Sequence, residues 1–418
     1  MTDVNQADVQ YQELLERILT QGEYEWNERT QTGTLSKFGD QMDLKLGSGS
    51  SKAQKAYSME HDLSQGFPIL TTKKMAPRIP FEEMLFFLRG ENDLKSLIDK
   101  NVNIWNDNGF DFYLRRHGLE KEIPKHTKKW DIERDRYIAK VANGDLPLEE
   151  RSLGRIYGVQ WRDWRTTNGT PNNMFEKAIE KLVSPFGFAK VKHTDQLAEM
   201  INKLKHGDRT SRSNIVTAQN LGEKNDMALP PCHLEYQTRV VEDKNRLDLR
   251  LDQRSCDTIL GVPFNMAQYG LLLNMLAHET GLNPGYFEHM LGNVHFYTGV
   301  GERQEFLRDQ RNLHELQKGV KKARDSQDYM EMFNWYMNSA PEEPENRKGY
   351  DHVPFALIQL AREPKQSSQL EFKVSEDTSF WDMINMRKED LAKINNYEDQ
   401  GKLQYEWNAE KIKPQMAA

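Results

Sequence analysis

A cysteine in a rigid setting is the first feature of this sequence that suggests chemistry. Cys232 follows two prolines in the run Leu-Pro-Pro-Cys-His at 229–233, and proline fixes its own backbone and has no N–H to donate. A thiol held at a fixed point is suited to nucleophilic attack as the thiolate. Arg254 would favour that charged form. A free cysteine is more often a small buried hydrophobe, which is our interpretation of Cys256.

Two strands and a helix must position these residues. Alternating apolar side chains predict strands over 234–240 and 247–253, joined by a turn at 242–245. The second strand leads into Gln-Arg-Ser-Cys-Asp at 253–257. A helix follows the run Leu-Gly-Val-Pro-Phe-Asn and is expected to end at Gly281. Its apolar positions are Met266, Tyr269, Leu272, Leu273 and Leu276.

Four ordered motifs in this stretch, PPCH, QRSCD, LGVPFN and GNVHFY, resemble the thymidylate synthase family. The family includes phage enzymes that hydroxymethylate deoxynucleotides, and a phage dUMP hydroxymethylase is closest in character. The resemblance returns near the N-terminus and in the middle of the chain. It implies an α+β fold, with a large mixed β-sheet flanked by helices in a single domain over 1–418. Family-atypical insertions are expected near 46–64, 109–151, 166–198 and 311–390.

The resemblance implies transfer of a one-carbon unit from 5,10-methylenetetrahydrofolate to C5 of dUMP. Carbon 5 of uracil is a poor nucleophile, and addition of a thiolate at C6 converts the ring into an enolate. The resemblance implies that Cys232 takes this role and that Arg254 also touches the thiolate. Glu83 is implied to organise water and protons around the pyrimidine carbonyl, and Tyr157 to assist proton removal. Asn265 can match the donor and acceptor of uracil, where the cytosine-directed hydroxymethylases carry aspartate.

The remaining assignments also follow from the resemblance. Three arginines and a serine are implied to bind the phosphate, and an aromatic pair is implied to bind the deoxyribose hydroxyl. A further three residues are implied to bind folate. These are Arg29, Arg212, Arg254 and Ser255 for phosphate, His295 and Tyr297 for the sugar, and Trp105, Asp257 and Gly261 for folate. Arg212 is implied to reach the partner's site in a homodimer. A core tryptophan is the alternative for Trp105, and a structural ion pair is the alternative for Arg254.

Composition restricts the partners. The chain has 418 residues, a formal net charge of -7 and two cysteines. This charge argues against general nucleic-acid binding, and so few cysteines exclude a disulfide framework and suit a reducing cytoplasm. Without a signal peptide or a membrane-spanning apolar run, we expect no membrane association and a cytoplasmic protein, in the host cytoplasm if phage-encoded. Cys232, His233 and His295 lack paired-ligand spacing, so no metal is expected.

The product depends on the fate of the methylene group. Hydride from the folate would give dTMP, whereas water would give 5-hydroxymethyl-dUMP. Departures from the family pattern favour the hydroxymethyl product because they would loosen closure of the site. Gln219 replaces a tryptophan of the family pattern, Asn293 replaces an aspartate, and Gly299 and Val300 replace an Asn-His pair. Ser213 interrupts an arginine pair, and residues 406–409 lack the family's His-Pro segment. A further alternative is an inactive nucleotide- or RNA-binding homologue.

Other stretches carry less chemistry. Apolar spacing predicts a helix over 9–19 and another containing Phe81 and Leu88. The Gly/Ser-rich run from Leu46 predicts a loop, and the mixed charges of 109–151 predict a solvated surface. Residues 311–390 show no motif. Residues 411–418 weakly resemble the family's C-terminal tail, which closes over bound ligands.

Overall fold

The computed structural model describes residues 4–28, 30–38, 40–46, 49–55, 57–167 and 191–416. The helices are α1 (Gln6–Gln21), α2 (Arg78–Leu88), α3 (Leu94–Ile98), α4 (Asn106–His117), α5 (Lys128–Asn143), α6 (Leu148–Arg151), α7 (Tyr157–Arg162), α8 (Gln196–His206), α9 (Gly261–Thr280), α10 (Glu302–Glu305), α11 (Gln310–Lys322), α12 (Ser326–Ser339), α13 (Val353–Leu360), α14 (Phe380–Met383) and α15 (Lys388–Leu391). The strands are β1 (Glu23–Asn27), β2 (Thr32–Phe38), β3 (Asp40–Leu46), β4 (Gly49–Lys55), β5 (Tyr57–Asp62), β6 (Trp164–Thr167), β7 (Val191–Thr194), β8 (Ile215–Thr217), β9 (His233–Val241), β10 (Arg246–Asp257), β11 (Asn283–Tyr297), β12 (Gln369–Phe372), β13 (Ala392–Asn395), β14 (Tyr405–Trp407) and β15 (Glu410–Ile412).

The chain divides into two compact units. The first unit comprises Met1–Phe81, Val240–Ser379 and Met386–Ala418, and the second comprises Glu82–Arg239 and Phe380–Asn385. None of the helices within the described ranges is long and apolar enough to cross a membrane. The assignment of the whole chain to one domain stays a prediction.

Strand β11 is the centre of the sheet in the first unit. It runs parallel to β10 along one edge, with Asp257 opposite His295. Its other edge pairs antiparallel with β5 over 286–291 and with β2 over 293–297. Strand β1 continues the sheet beyond β2. Helix α9 packs on β10 and β11. The predicted α+β class with a mixed sheet is therefore confirmed.

Alternation along β10 explains which side chains form the core. Leu247, Leu249 and Leu251 are buried, whereas the intervening charged residues are partly or fully exposed. This period of two is the pattern of a strand with one buried face. Helix α9 has buried residues on all sides and ends at Gly281, whose φ of 65° suits glycine. The predicted strands, the turn between them and this helix are confirmed.

The second unit contains most of the shorter helices and the antiparallel pair β8–β9. Its apolar centre includes Phe86, Phe87, Trp161 and Tyr236, all 1% exposed or less. Residues 109–151 form the greater part of helices α4 to α6, which bury Trp130, Tyr137 and other apolar residues and leave many charged residues exposed. The predicted solvated surface agrees with that exposure.

The predicted loop from Leu46 onward is wrong. Strands β3 and β4 form an antiparallel hairpin whose register runs from Asp40 opposite Lys55 to Leu46 opposite Gly49. Strand β5 then joins the edge of β11. Backbone N–H and C=O groups pair whatever the side chains are, so a polar Gly/Ser-rich run can form a ladder that hydrophobic alternation does not reveal.

A buried carboxylate fixes α1 to the loop before α2. Asp8, which is 0% exposed, accepts hydrogen bonds from the backbone N–H and the hydroxyl of both Thr71 and Thr72, at 2.7–3.1 Å. Burial raises the pKa of Asp8 in spite of these donors. Asn5 adds a bond from its side-chain amide to the carbonyl of Ile69 at 2.7 Å. The loop that carries Lys73 is thereby held in place.

We predict that Asp8→Ala lowers the free energy of unfolding by about 3 kcal/mol or more, because four buried donors lose their acceptor. Urea unfolding measures the change. Asp62→Ala is the matched control, since Asp62 accepts from the backbone and hydroxyl of Ser64 at an exposed site, and it should cost less than about 1 kcal/mol. Equal losses in the two variants would contradict the assigned role of Asp8.

His61 predicts a pH dependence of stability. It is 3% exposed, lies opposite Phe287 in the sheet, and burial lowers its pKa to about 4. An unfolded histidine binds a proton near pH 6.5. Between about pH 6.5 and pH 4 the unfolded chain therefore binds one proton that the folded chain does not, and the free energy of unfolding falls as the pH falls.

Between about pH 6.5 and pH 4, His61 should lower the free energy of unfolding by about 3 kcal/mol. His61→Phe should remove this part of the slope when urea unfolding is followed at several pH values. A slope unchanged by the substitution would show that other groups control the acid sensitivity.

Candidate active site

Cys232 lies in an aromatic cluster of the second unit. Its backbone N–H donates to the hydroxyl oxygen of Tyr157 at 2.8 Å, and its side chain is partly exposed. The ring of Tyr157 stacks on Phe87 with centroids 4.8 Å apart and lies 5.2 Å from the ring of His233. The nucleophile predicted from the sequence and the predicted tyrosine are therefore in direct contact.

Glu83 and Trp105 form the adjoining part of this cluster. The indole N–H of Trp105 donates to Oε1 of Glu83 at 2.6 Å, and both residues are less than 9% exposed. The indole also packs edge-on to Tyr157, with centroids 6.1 Å apart. A charge-assisted bond of this kind fixes the orientation of a carboxylate. Glu83 is thus held at the edge of the group that contains Tyr157.

A glycine permits the close packing behind the cluster. Helix α7 begins at Tyr157, and a Cβ on Gly158 would lie 2.1 Å from the carbonyl oxygen of Phe87. Only glycine allows this approach of α7 to the end of α2. Because α2 carries Glu83 and α7 carries Tyr157, the glycine sets the separation of two predicted site residues.

A second group of predicted residues lies in the first unit around Asp257. Oδ1 of Asp257 accepts from the backbone N–H groups of Ile259 and Leu260 at 3.1 and 3.2 Å. Oδ2 is buried and has no hydrogen-bond partner within the described ranges. Lys73, 6% exposed, donates from Nζ to the carbonyl of Ile259 at 2.5 Å. The carboxylate therefore keeps one oxygen for another donor.

Burial and charge act on the groups beside Asp257. Burial lowers the pKa of Lys73 to about 8, and the negative charge of Asp257 opposes this shift. Burial also lowers the pKa of His352, whose Nδ1 lies 4.0 Å from Oδ1 of Asp257. The carboxylate thus lies among basic groups for which burial favours the neutral form.

A chain of amides sets the orientation of Asn265. Nε2 of Gln253 donates to the carbonyl of Ser255 at 3.0 Å and to Oδ1 of Asn265 at 3.1 Å. Nδ2 of Asn265 donates to Oε1 of Gln268 at 3.1 Å, and Oε1 of Gln253 contacts Nε2 of His289 at 2.7 Å. Because a carbonyl only accepts, Ser255 fixes which end of Gln253 is the donor, and Gln253 in turn fixes Asn265.

The other predicted residues have varied positions. Gly261 begins α9, and a Cβ there would be 3.5 Å from that of Asp257. The rings of His295 and Tyr297 are 5.8 Å apart on β11. The remaining four are phosphate candidates: Arg254 is exposed on β10 and Ser255 partly exposed, Arg212 is exposed in the second unit, and Arg29 lies outside the described residues.

The structure thus brings the predicted residues together in two groups. Glu83, Trp105, Tyr157 and Cys232 share the second unit, whereas Asp257, Gly261, Asn265, His295 and Tyr297 share the first. Sequence reasoning assigned no role to Lys73, Gln253 or His352. Lys73 and Gln253 stand inside the motifs Thr-Thr-Lys-Lys and Gln-Arg-Ser-Cys-Asp, and their place in these motifs could have identified them. His352 lies in a stretch in which no motif was recognised, so no comparable signal pointed to it. Within the described ranges no three His, Cys, Asp or Glu residues are grouped to hold a metal ion.

Comparison with known proteins identifies the family. The family model described as thymidylate synthase matches residues 9–409. The thymidylate synthase of Mesoplasma florum is 38% identical over 290 residues, which cover 69% of this chain and 81% of that protein. The thymidylate synthase of Listeria monocytogenes serovar 1/2a is 33% identical over 300 residues, with 69% and 82% covered. The chain belongs to the thymidylate synthase family. It is accordingly a one-carbon transferase, as predicted.

The two cysteines should differ sharply in reactivity. Cys256 is 0% exposed and its Sγ contacts the carbonyl of Gln253 at 3.6 Å, whereas Cys232 is partly exposed. Native protein treated with iodoacetamide should gain one adduct by mass spectrometry, because access limits alkylation. Cys232→Ser should abolish it, and Cys256→Ser should retain it. Two adducts forming at similar rates would contradict the assignment.

Proposed function

We propose that this protein transfers a one-carbon unit from 5,10-methylenetetrahydrofolate to C5 of dUMP and releases dTMP and dihydrofolate. The observation that carries the proposal is the contact of a partly exposed cysteine with Tyr157, in the cluster that also holds Glu83. The names of the relatives, at 33–38% identity, support dTMP as the product.

Covalent addition is the first step. The thiolate of Cys232 adds to C6 of the uracil ring, the π electron pair of the C5=C6 double bond shifts to the C4–C5 bond, and the negative charge is taken up by O4 as an enolate. C5 of the enolate then attacks the methylene carbon of the folate, and one of the two C–N bonds of that carbon breaks, so that it bridges C5 and the remaining folate nitrogen. Because its backbone N–H is tied to Tyr157, Cys232 approaches from a fixed position.

Proton transfer is the second step. The proton on C5 must leave before the folate amine is expelled, and Tyr157 assists its removal. Glu83, oriented by the indole of Trp105, organises protons at the pyrimidine carbonyl. A hydride from the reduced folate then adds to the exocyclic methylene, and the C6–sulfur bond breaks. The folate is oxidised to dihydrofolate and the thiolate is regenerated.

Base recognition falls to Asn265. With its amide orientation fixed by Gln253 and Gln268, Oδ1 accepts from N3–H of uracil and Nδ2 donates to O4. Cytosine presents an acceptor at N3 and a donor at C4, so it would require the opposite orientation. Mismatched buried groups cost about 1–3 kcal/mol. This supports uracil as the base. Arg254 and Ser255 serve the phosphate, and His295 and Tyr297 the sugar hydroxyl.

Folate is assigned to Asp257, Gly261 and Trp105. The buried Oδ2 of Asp257, which lacks a hydrogen-bond partner among the described residues, is suited to an N–H donor of the pterin ring. Arg212 is exposed in the second unit, and we propose that it reaches the phosphate site of a second copy in a homodimer. Arg29 completes the proposed phosphate contacts.

A second product has its own supporting observation. Gln219, which stands where the family pattern has a tryptophan, is an exposed polar side chain just after β8. If the loss of this apolar group admits water to the methylene, the product is 5-hydroxymethyl-dUMP and the folate leaves as tetrahydrofolate. The hydroxymethyl prediction made from the sequence therefore stays a prediction.

The decisive assay combines purified protein, dUMP and 5,10-methylenetetrahydrofolate. We expect dihydrofolate absorbance to rise and the mass of dTMP to appear in equal amount. Tetrahydrofolate with the mass of 5-hydroxymethyl-dUMP would establish the second product instead.

Cys232→Ala should lower turnover by about 10⁴-fold or more, because the covalent step is lost. Cys256→Ala is the matched control and should retain most of the activity. Full turnover by Cys232→Ala would refute the covalent mechanism, and lack of turnover by the wild type would favour a binding protein.

A further inference from the structure

A long excursion of the chain leaves the sheet after Tyr297 and forms one side of a cleft. The excursion covers residues 299–350 and contains α10, α11 and α12. It returns to its starting point, where Thr298 forms a bridge with Asp351. The backbone N–H of His352 then donates to the carbonyl of Tyr297 at 2.8 Å. Helix α10 packs on β2, and α11 packs on α1, so the excursion lies beside the β1–β2 hairpin.

The cleft lies between β1 and α10 and has a volume of about 410 Å³. This volume is within the range of pockets that bind small molecules. None of the residues that line the cleft has been given a role in catalysis or in binding dUMP or folate, and all of them belong to the first unit. They are Tyr24, Trp26, Gln304, Glu305 and Arg308.

Two aromatic side chains form the β1 side of the cleft. Tyr24 and Trp26 are two positions apart on the strand, so they point to the same face and start about 7 Å apart. Trp26 is 44% exposed, and the ring of Tyr24 is partly buried. A flat ring that enters the cleft can therefore stack on Trp26, as nucleic-acid bases stack on exposed aromatic side chains.

A glycine fixes the position of the tyrosine ring. Gly33 lies opposite Trp26 in the pairing of β1 with β2. A Cβ on Gly33 would lie 2.6 Å from Cε2 of Tyr24, 2.8 Å from its hydroxyl oxygen and 2.4 Å from Oγ1 of Thr298. The ring of Tyr24 therefore lies across the glycine and reaches the start of the excursion, which leaves Trp26 as the outer edge of the cleft.

The α10 side of the cleft carries one acid and one base. Nη1 of Arg308 lies 3.1 Å from Oε2 of Glu305. Burial raises the pKa of Tyr24, the negative charge of Glu305 raises it further, and the positive charge of Arg308 opposes the rise. Both charged groups are thus close to the aromatic side of the cleft. An exposed ion pair contributes little to stability, so either group can bind a ligand at small cost.

The two sides of the cleft are held together without a ligand. Leu307, between the two charged residues, is 0% exposed, and the ring of Phe306 packs on Tyr336 with centroids 5.6 Å apart. Nε2 of Gln317 donates to the carbonyl of Gly22 at 3.0 Å, and Gly22 directly precedes β1. The cleft is therefore formed before any ligand binds, which lowers the entropic cost of binding.

The chemistry of the lining selects a flat ring with two neighbouring hydrogen-bond donors. A carboxylate only accepts, and its two oxygens can pair in parallel with two adjacent N–H groups. Guanine carries such a pair in its ring N–H and the amino group beside it, and pterins carry the same pair. Adenine and uracil present an acceptor at one of the two places. Arg308 adds a positive charge for an anionic group attached to the ring.

We propose that the cleft between β1 and α10 is a second ligand site, which binds a fused heteroaromatic ring with adjacent N–H and NH2 donors and an anionic substituent. The ring stacks on Trp26, its two donors pair with Glu305, and the anionic group contacts Arg308. Guanine nucleotides and pterin carboxylates both have this chemistry. The site is independent of the reaction at Cys232, because it shares no residue with the proposed active site.

Calorimetric titration with GMP tests the site. Excess dUMP is kept in the cell to occupy the proposed substrate site, so that GMP is not counted there. We expect one GMP to bind per chain, on the order of tenfold more tightly than IMP, which lacks the amino group, and than AMP. Absence of saturable binding of both GMP and pterin-6-carboxylate, or equal affinity for GMP, IMP and AMP, would overturn the proposal.

Two substitutions separate stacking from recognition of the donors. Trp26→Ala should weaken GMP binding on the order of tenfold or more. Glu305→Gln should reduce the preference for GMP over IMP to within about twofold, because an amide has only one acceptor oxygen. A lost preference is a change that misfolding would not produce. Ile132→Ala is the control, since Ile132 is 43% exposed and lies in the second unit, and it should alter neither result.

A third substitution tests the anionic contact. Arg308→Gln should remove the advantage of GMP over guanosine, which lacks the phosphate. GMP and guanosine bound equally tightly by the wild type would contradict the role of Arg308. Ligand affinities that are the same in the wild type, Trp26→Ala and Glu305→Gln would show that binding occurs elsewhere and would overturn the site.

Titration with pterin-6-carboxylate distinguishes the two sources of the ligand. Tighter binding of GMP would assign the site to a guanine nucleotide. Tighter binding of the pterin, weakened by Trp26→Ala and by Glu305→Gln, would assign the same site to a pterin. These titrations measure binding alone, so their result stands whether or not the protein converts dUMP, and the proposed function is tested separately by the turnover assay.

Discussion

The register of β11 is the constraint on which the arrangement of the first unit depends. This strand is paired along both edges, with β10 on one side and β5 and β2 on the other. A shift by one residue would turn every side chain of the strand to the opposite face. The pairing of Asp257 with His295, and of Ser255 with Asn293, therefore follows from the backbone ladder, and long-range hydrogen bonds such as that of Tyr297 to His352 can then form.

Hydrogen-bond satisfaction accounts for much of the remaining order. Ser255 fixes Gln253, and Gln253 fixes Asn265, so a backbone carbonyl determines the direction of a side-chain amide two steps away. In the same way, the indole N–H of Trp105 fixes the orientation of the Glu83 carboxylate by donating to it. Buried polar groups that are fully paired have a single arrangement. The exceptions carry information, because Oδ2 of Asp257 is buried and has no protein donor in the described part of the chain.

Sequence periodicity predicted the elements around Cys232 and Asn265 well, because their apolar residues alternate or recur every three to four positions and the helix ends at a glycine. It failed at the β3–β4 hairpin, where pairing of polar backbone leaves no hydrophobic pattern. The family resemblance supplied the proposed roles of Asp257 and Asn265. It did not lead to His352, because that residue follows an excursion of about fifty positions and reaches Asp257 only through the fold.

The bridge between Thr298 and Asp351 has an evolutionary consequence. The two ends of the excursion 299–350 are neighbours in space, so its length has little influence on the path of β11 before it or of α13 after it. The entropy of closing such a loop rises only slowly with length. This position could therefore accept foreign sequence in one lineage and lose it in another, while the strand and helix on either side keep their places.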